Sequence, residues 1–170
     1  DNFPSDTRLV IALGHLGDQV KEFLHIQYPS RKIIFVKVKN FSGKGSGPAR
    51  SLNYCKKFLN QPFYFASCDT IWKEQKNLID ETNDWMGISK TLKFNSKEFC
   101  NILAHNNNIF TIKDKCRVTK KFRHFIGLAF IKNYKIFWEG LSKNEKVKGE
   151  LQISSGFNNL LKFKKIKSKV

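Results

Sequence analysis

Residues 43–52 read Gly-Lys-Gly-Ser-Gly-Pro-Ala-Arg-Ser-Leu, and residues 61–70 read Gln-Pro-Phe-Tyr-Phe-Ala-Ser-Cys-Asp-Thr. The first stretch is a glycine loop opening onto a helix. Pro48 has its φ preset and no N–H to leave orphaned, which suits the first helical position. The helix is expected to run to about Asn60, with Leu52, Cys55, Phe58 and Leu59 turned toward a sheet. The second stretch is a short apolar strand, 62–67, that delivers Asp69 at its end. Loop, helix, strand and carboxylate in that order form one unit of an α/β sheet.

Toward the N-terminus the pattern repeats. Leu9-Val-Ile-Ala-Leu13 is a continuous apolar run closed by Gly14, as a strand buried on both faces of a parallel sheet reads. Leu16, Val20, Phe23 and Leu24 then recur at helical spacing, so an amphipathic helix is expected over 16–28, ended by Pro29. A β-branched run follows at 31–38, which completes βαβαβ. Toward the C-terminus, short strands are expected at 85–89 and 109–113, with a turn at Asn106-Asn107-Asn108. A longer strand, 124–131, contains Gly127. Helices follow, one presenting Tyr134, Phe137, Trp138 and Leu141 and another over 155–161. The tail 164–170 alternates like a charged edge strand, with Ile166 and Val170 on one face.

The 170 residues are enough for one domain with a real core, and the 41% hydrophobic content exceeds what a disordered segment carries. No apolar run approaches the ~18 residues of a membrane span. Net charge is +17, which admits polyanionic partners, although Lys, Asn, Phe and Ile are enriched together as an AT-rich genome would enrich them. The four cysteines, Cys55, Cys68, Cys100 and Cys116, lack zinc spacing and read as reduced thiols of a cytoplasmic protein. The four histidines show no partner spacing, and Trp72, Trp85 and Trp138 read as core or pocket walls.

Ligands of open α/β sheets bind beyond the carboxyl ends of the strands, where the glycine loop and Asp69 converge. Free N–H groups at a helix start, the helix dipole and Lys44 favour a phosphate, and a turn alone also accounts for the glycines. A carboxylate at a strand end can hold Mg²⁺ together with substrate phosphates, or cap the Thr70 and Ile71 amides. Together the two features suit phosphoryl or nucleotidyl transfer. Lys44, Arg50, Lys113 and Lys115 are available to line such a pocket, whereas 143–148 and 162–169 read as solvated lysine faces.

Gly45 to Leu52 and Gln61 to Thr70, joined by Asp114-Lys115, Phe125 to Ala129 and Gly149 to Ser154, resemble the nucleotidyltransferase family of sugar-phosphate nucleotidyltransferases and phosphocholine-type cytidylyltransferases. The likeness spans roughly 8–162 and starts at the family's second strand. It implies an α/β, Rossmann-like, mostly parallel sheet with helices on both faces and the first strand missing, in a single domain over 1–170. That domain is expected to be incomplete at both ends: the family's Gly-x-Gly-Thr-Arg loop would precede Asp1, and its second metal-binding Asp would follow Val170. The resemblance places Gly45, Ser46 and Gly47 by the nucleotide, makes Asp69 a catalytic ligand of Mg²⁺, sets Asp114 and Gly127 by the acceptor, and sets Lys115 at the acceptor phosphate. The activity implied is transfer of a nucleoside monophosphate from an NTP, preferentially a pyrimidine nucleotide, to a sugar 1-phosphate or phospho-alcohol with release of pyrophosphate. Its products would be precursors of polysaccharide or of phospholipid headgroups. Two alternatives stand beside it. One is a catalytically silent nucleotide-binding remnant. The other is a single-strand nucleic-acid binder, which needs Arg117, Lys120, Lys121 and Arg123 on one face with Phe122 and Phe125 free to stack.

Overall fold

The apolar runs become strands where the sequence places them. In a computed structural model that describes residues 3–71, 80–90, 95–143 and 146–170, strand β1 (Leu9–Leu13), helix α1 (Gly17–Gln27), strand β2 (Ile33–Lys37), helix α2 (Pro48–Cys55) and strand β3 (Phe63–Ala66) follow in order. Helix α2 stops sooner than expected, tightening into a 3₁₀ turn at Lys56–Phe58. Next come β4 (Trp85–Ile88), β5 (Cys100–His105), β6 (Asn108–Asp114), β7 (Arg123–Ile131), α3 (Tyr134–Ser142), β8 (Lys146–Val147), β9 (Glu150–Leu151), α4 (Ser154–Phe163) and β10 (Lys167–Lys169). Trp72 lies outside the described residues.

The mostly parallel sheet is corrected by the pairing. β1 and β2 form a parallel pair of their own, and the remaining long strands make a six-stranded sheet in the order β3-β7-β4-β10-β6-β5. Among the described residues only β4–β10 is parallel within it, because β7 runs antiparallel to β3 and β4, and β5–β6 is a hairpin. That hairpin turns through Asn106 and Asn107, both at positive φ, which asparagine tolerates. Strand β5 is not foreseen from the sequence, which shows only a polar stretch before the asparagines.

The described helices of the main core gather on one face of the large sheet. Alternation along β7 sends Ala129 and Ile131 to one face and Leu128 and Phe130 to the other. Ala129 and Ile131 join Ala49 and Leu52 of α2, Phe137, Trp138 and Leu141 of α3, and Phe157 and Leu160 of α4 in the main core. Leu128 and Phe130 join Trp85 and Tyr64 in a small cluster without a described helix. Helices α2, α3 and α4 thus share one face. The tail is no edge strand: β10 lies between β4 and β6, with Ile166 and Ser168 buried. Its lysines are accommodated on the other face, Lys167 Nζ at 2.9 Å from Asn108 Oδ1 and Lys169 Nζ 4.7 Å from the Trp85 ring centre.

Asp84 is 1% exposed and holds a corner of the molecule together. Its carboxylate accepts from the Lys132 and Asn133 amides at 2.7 and 2.9 Å and from Asn133 Nδ2 at 2.6 Å, tying the start of β4 to the turn that opens α3. All four cysteines carry free thiols, and burial pushes Cys55 up to about 11.

Candidate functional site

The seven candidate residues fall into two groups. The first is assembled by the β8–β9 hairpin. Gly45 N donates to Gly149 O at 2.7 Å, and Leu151 N donates to Ser46 O at 2.8 Å, so the glycine loop and the hairpin are laced by their backbones. Gly47 has φ +117, and a Cβ there would stand 2.5 Å from Leu151 O. Only glycine permits that approach. Pro48 then starts α2, as its position predicts.

From the hairpin the contacts reach the end of β6. Lys115, at φ +44, turns off the strand and places Nζ 2.6 Å from Glu150 Oε2, which also accepts from Gln152 Nε2 at 2.9 Å. The hydrogen bond from Lys115 holds the Glu150 carboxyl below the usual range against the opposing effect of burial. Asp114 accepts a hydrogen bond from Ser154 Oγ at the start of α4. Gly45, Ser46, Gly47 and Lys115 are therefore neighbours through one hairpin, and Asp114, next to Lys115, is tied to the start of α4. Glu150, Gln152 and Ser154 had signalled themselves only as the segment that leads to the last helix.

The second group is Asp69 with Gly127. The turn after β3 closes on itself, Thr70 N donating to Ser67 O at 3.2 Å, so the Thr70 amide is not capped by the Asp69 carboxylate. That turn is fastened to β7: Ser67 N donates to Gly127 O at 2.8 Å and Thr70 Oγ1 to Ile126 O at 2.6 Å. Gly127 has φ +79, and a Cβ would meet Ser67 Oγ at 2.5 Å and Thr70 Oγ1 at 2.6 Å. Opposite it, the register of β4 against β7 shifts between Met86 and Ile88, a bulge that aims β7 at the turn. Asp69 is exposed there.

No hydrogen bond among the described residues joins the two groups, but a ladder of rings runs beneath both. Phe65 of β3 lies 6.4 Å from Phe125 of β7, and Phe125 lies 6.2 Å from Phe157 of α4. Phe122 is 8% exposed, with Lys113 Nζ 5.9 Å from its ring centre. Both rings that a single-strand binder would use are thus committed to packing. Arg123 Nη1 donates to the Lys120 and Phe122 carbonyls, each at 2.8 Å.

For a metal, the donor set is lean: among the described residues no three His, Cys, Asp or Glu side chains are grouped to hold one. Asp69 offers a single exposed carboxylate. That fits Mg²⁺, which takes one or two carboxylates and completes its shell with water and substrate phosphate, and it does not fit an all-protein cage.

No protein-family model matches the chain, and no curated protein matches it. Solved structures do. A UDP-glucose pyrophosphorylase complexed with UDP-glucose is similar with a TM-score of 0.68 and 14% identity, over 94% of this chain and 70% of its own. The inositol-1-phosphate CTP transferase from T. maritima gives 0.65 and 16%, over 95% of this chain and 64% of its own. A nucleoside-diphosphate-sugar pyrophosphorylase from Vibrio cholerae gives 0.66 and 11%, over 96% and 72%. The fold is nucleotidyltransferase-like. Among the described residues no helix is long and apolar enough to cross a membrane.

Proposed function

We propose that this chain serves transfer of a nucleoside monophosphate from an NTP, preferentially a pyrimidine nucleotide, to a phosphorylated acceptor such as a sugar 1-phosphate or phospho-alcohol. The observation that supports it most is the lacing of Gly45–Gly47 to Lys115 through one hairpin, with Asp114 beside Lys115 and tied to α4, in a fold of this kind. In the reaction an acceptor phosphate oxygen attacks the α-phosphorus, the bond from that phosphorus to the bridging oxygen breaks, and pyrophosphate leaves. No covalent intermediate on the protein is required.

The residues divide the work by position. Gly45, Ser46 and Gly47 bring backbone close to the nucleotide. Lys115 retains ammonium hydrogens beyond the one given to Glu150, and these orient the acceptor phosphate. Asp114 and Gly127 flank the acceptor, the first as a hydrogen-bond acceptor and the second by letting the turn that carries Asp69 pack closely on β7. Asp69 holds Mg²⁺ with substrate oxygens, and the metal supplies charge neutralisation at the phosphates. On this reading the protein works in the cytoplasm on precursors of nucleotide sugars, polysaccharide or lipid headgroups.

The test is Asp69→Asn, assayed by pyrophosphate release from CTP or UTP with glucose 1-phosphate or phosphocholine and Mg²⁺. Turnover is expected to fall at least ~100-fold with the melting temperature unchanged, since an exposed carboxylate contributes little to stability. Equal turnover in the variant overturns the metal assignment.

A further inference from the structure

The lysines at 143–148 read as a solvated face in the sequence, yet the hairpin folds one of them back over the glycine loop. The place a Cβ on Gly45 would occupy has Arg50 Nη2 at 3.5 Å and Lys146 Nζ and Cε at 3.8 Å. Two cationic groups from different elements, α2 and β8, thus converge on one point above a buried glycine. Arg50 is held there, its Nε donating to Gly45 O at 2.6 Å. Among the described residues neither cation is paired with a carboxylate. Glu150 is turned to Lys115 and Gln152, and Asp114 to Ser154. Like charges drawn together repel, and an anion between them converts the repulsion into attraction.

We infer that Arg50 and Lys146 form a subsite over Gly45 for a phosphate group carried by a small molecule. The inference rests on the proposed function and sharpens it, because it says which part of a ligand lies at the glycine loop, a phosphate. The chemistry matches: a guanidinium with its Nε spent keeps its terminal N–H groups for phosphate oxygens, and the ammonium adds a point charge beside them. Glycine at 45 keeps the space open. The phosphate comes either from the donor nucleotide or from the acceptor.

Calorimetric titration with inorganic pyrophosphate, without metal and at about 150 mM salt, isolates the subsite from base recognition and turnover. Wild type is expected to bind, Lys146→Gln to bind about 5- to 10-fold more weakly, and Arg50→Gln more weakly still, as loss of a charge-assisted hydrogen bond dictates. Lys164→Gln, an exposed lysine elsewhere, is expected to match wild type. Arg50→Gln also loosens the loop, so the deciding variant is Lys146→Gln, whose side chain is exposed. Absence of pyrophosphate binding at millimolar concentration overturns the inference, and so does an equal loss in Lys146→Gln and Lys164→Gln. Repeating the series with UTP and with glucose 1-phosphate names the source, since the Lys146→Gln loss follows whichever molecule seats its phosphate there. Because pyrophosphate carries no base and undergoes no reaction, failure of nucleotidyl transfer leaves this result intact, and the reverse holds as well.

Discussion

Two regions of this molecule both contain apolar strands and end in different states. The six-stranded sheet is covered by α2, α3 and α4, and its core holds Phe63, Met86, Phe137, Trp138, Phe157 and Leu160 at 7% exposure or less. Around the β1–β2 pair the buried hydrophobic side chains are Leu13, Val36 and Val38, and α1 buries none. Leu16, Val20, Phe23 and Ile26, at the start of α1 and along it, are 54, 40, 59 and 67% exposed. An apolar run is enough to make a strand, but burial needs a second layer wide enough to receive it, and two strands offer α1 little width.

The largest test of that difference is in the covered region. Phe137 is fully buried, its ring 5.1 Å from Phe157, 5.5 Å from Trp138 and 6.1 Å from Phe63. Phe137→Ala is expected to cost about 3–5 kcal/mol, lost transfer energy plus a cavity that three rigid rings close poorly. Urea unfolding reads it directly. A loss below about 1 kcal/mol would mean that the core around α3 is looser than its ring contacts imply.

The same contrast explains what the sequence disclosed. Local signals were legible: Pro48 opened α2, Gly14 and Pro29 bracketed α1, and the period of Tyr134, Phe137, Trp138 and Leu141 matched α3. Pairing was not, because direction is settled by partners far along the chain. The lysines of 164–170 read as an edge until β4 and β6 closed on Ile166 and Ser168 from either side. The site was half legible. Glycine and aspartate marked the loop and the strand end, while the hairpin that joins loop to Lys115 spans only 146–151 and offers no periodicity to read. Lys146 was hidden for that reason, since a lysine's direction is set by the turn that carries it.

The seam between the regions gives a smaller effect with a definite sign. Glu150 sits on the hairpin laced to the loop after β2, and Lys115 follows β6 of the large sheet, so their ion pair spans the two. Because the folded-state carboxyl is held below its unfolded value, the pair's stability is fully present above the ordinary carboxylate range and is lost as pH falls through the lowered value. With side chains 20% and 41% exposed, water screens the pair to no more than about 1 kcal/mol. Glu150→Gln is therefore expected to be less stable than wild type at about pH 7 and equal to it once the pH has fallen below the lowered carboxyl value, in paired urea melts. A difference that persists in acid would assign the effect to packing instead.

The smallest expected effect bears most directly on the comparison. Phe23 lies mid-stripe on α1 at 59% exposure, so Phe23→Ser removes a ring that water already reaches. Serine and phenylalanine have similar helix propensities, so the change should stay within about 0.5 kcal/mol of wild type. Stability this insensitive, beside a Phe137→Ala loss several-fold larger, means that the two regions differ as their burial says. If Phe23→Ser instead costs more than about 2 kcal/mol, a figure that only burial of the ring explains, then water does not reach it in solution. The stripe on α1 then belongs to a covered layer, and β1–β2 is as much a part of the core as the sheet beside it.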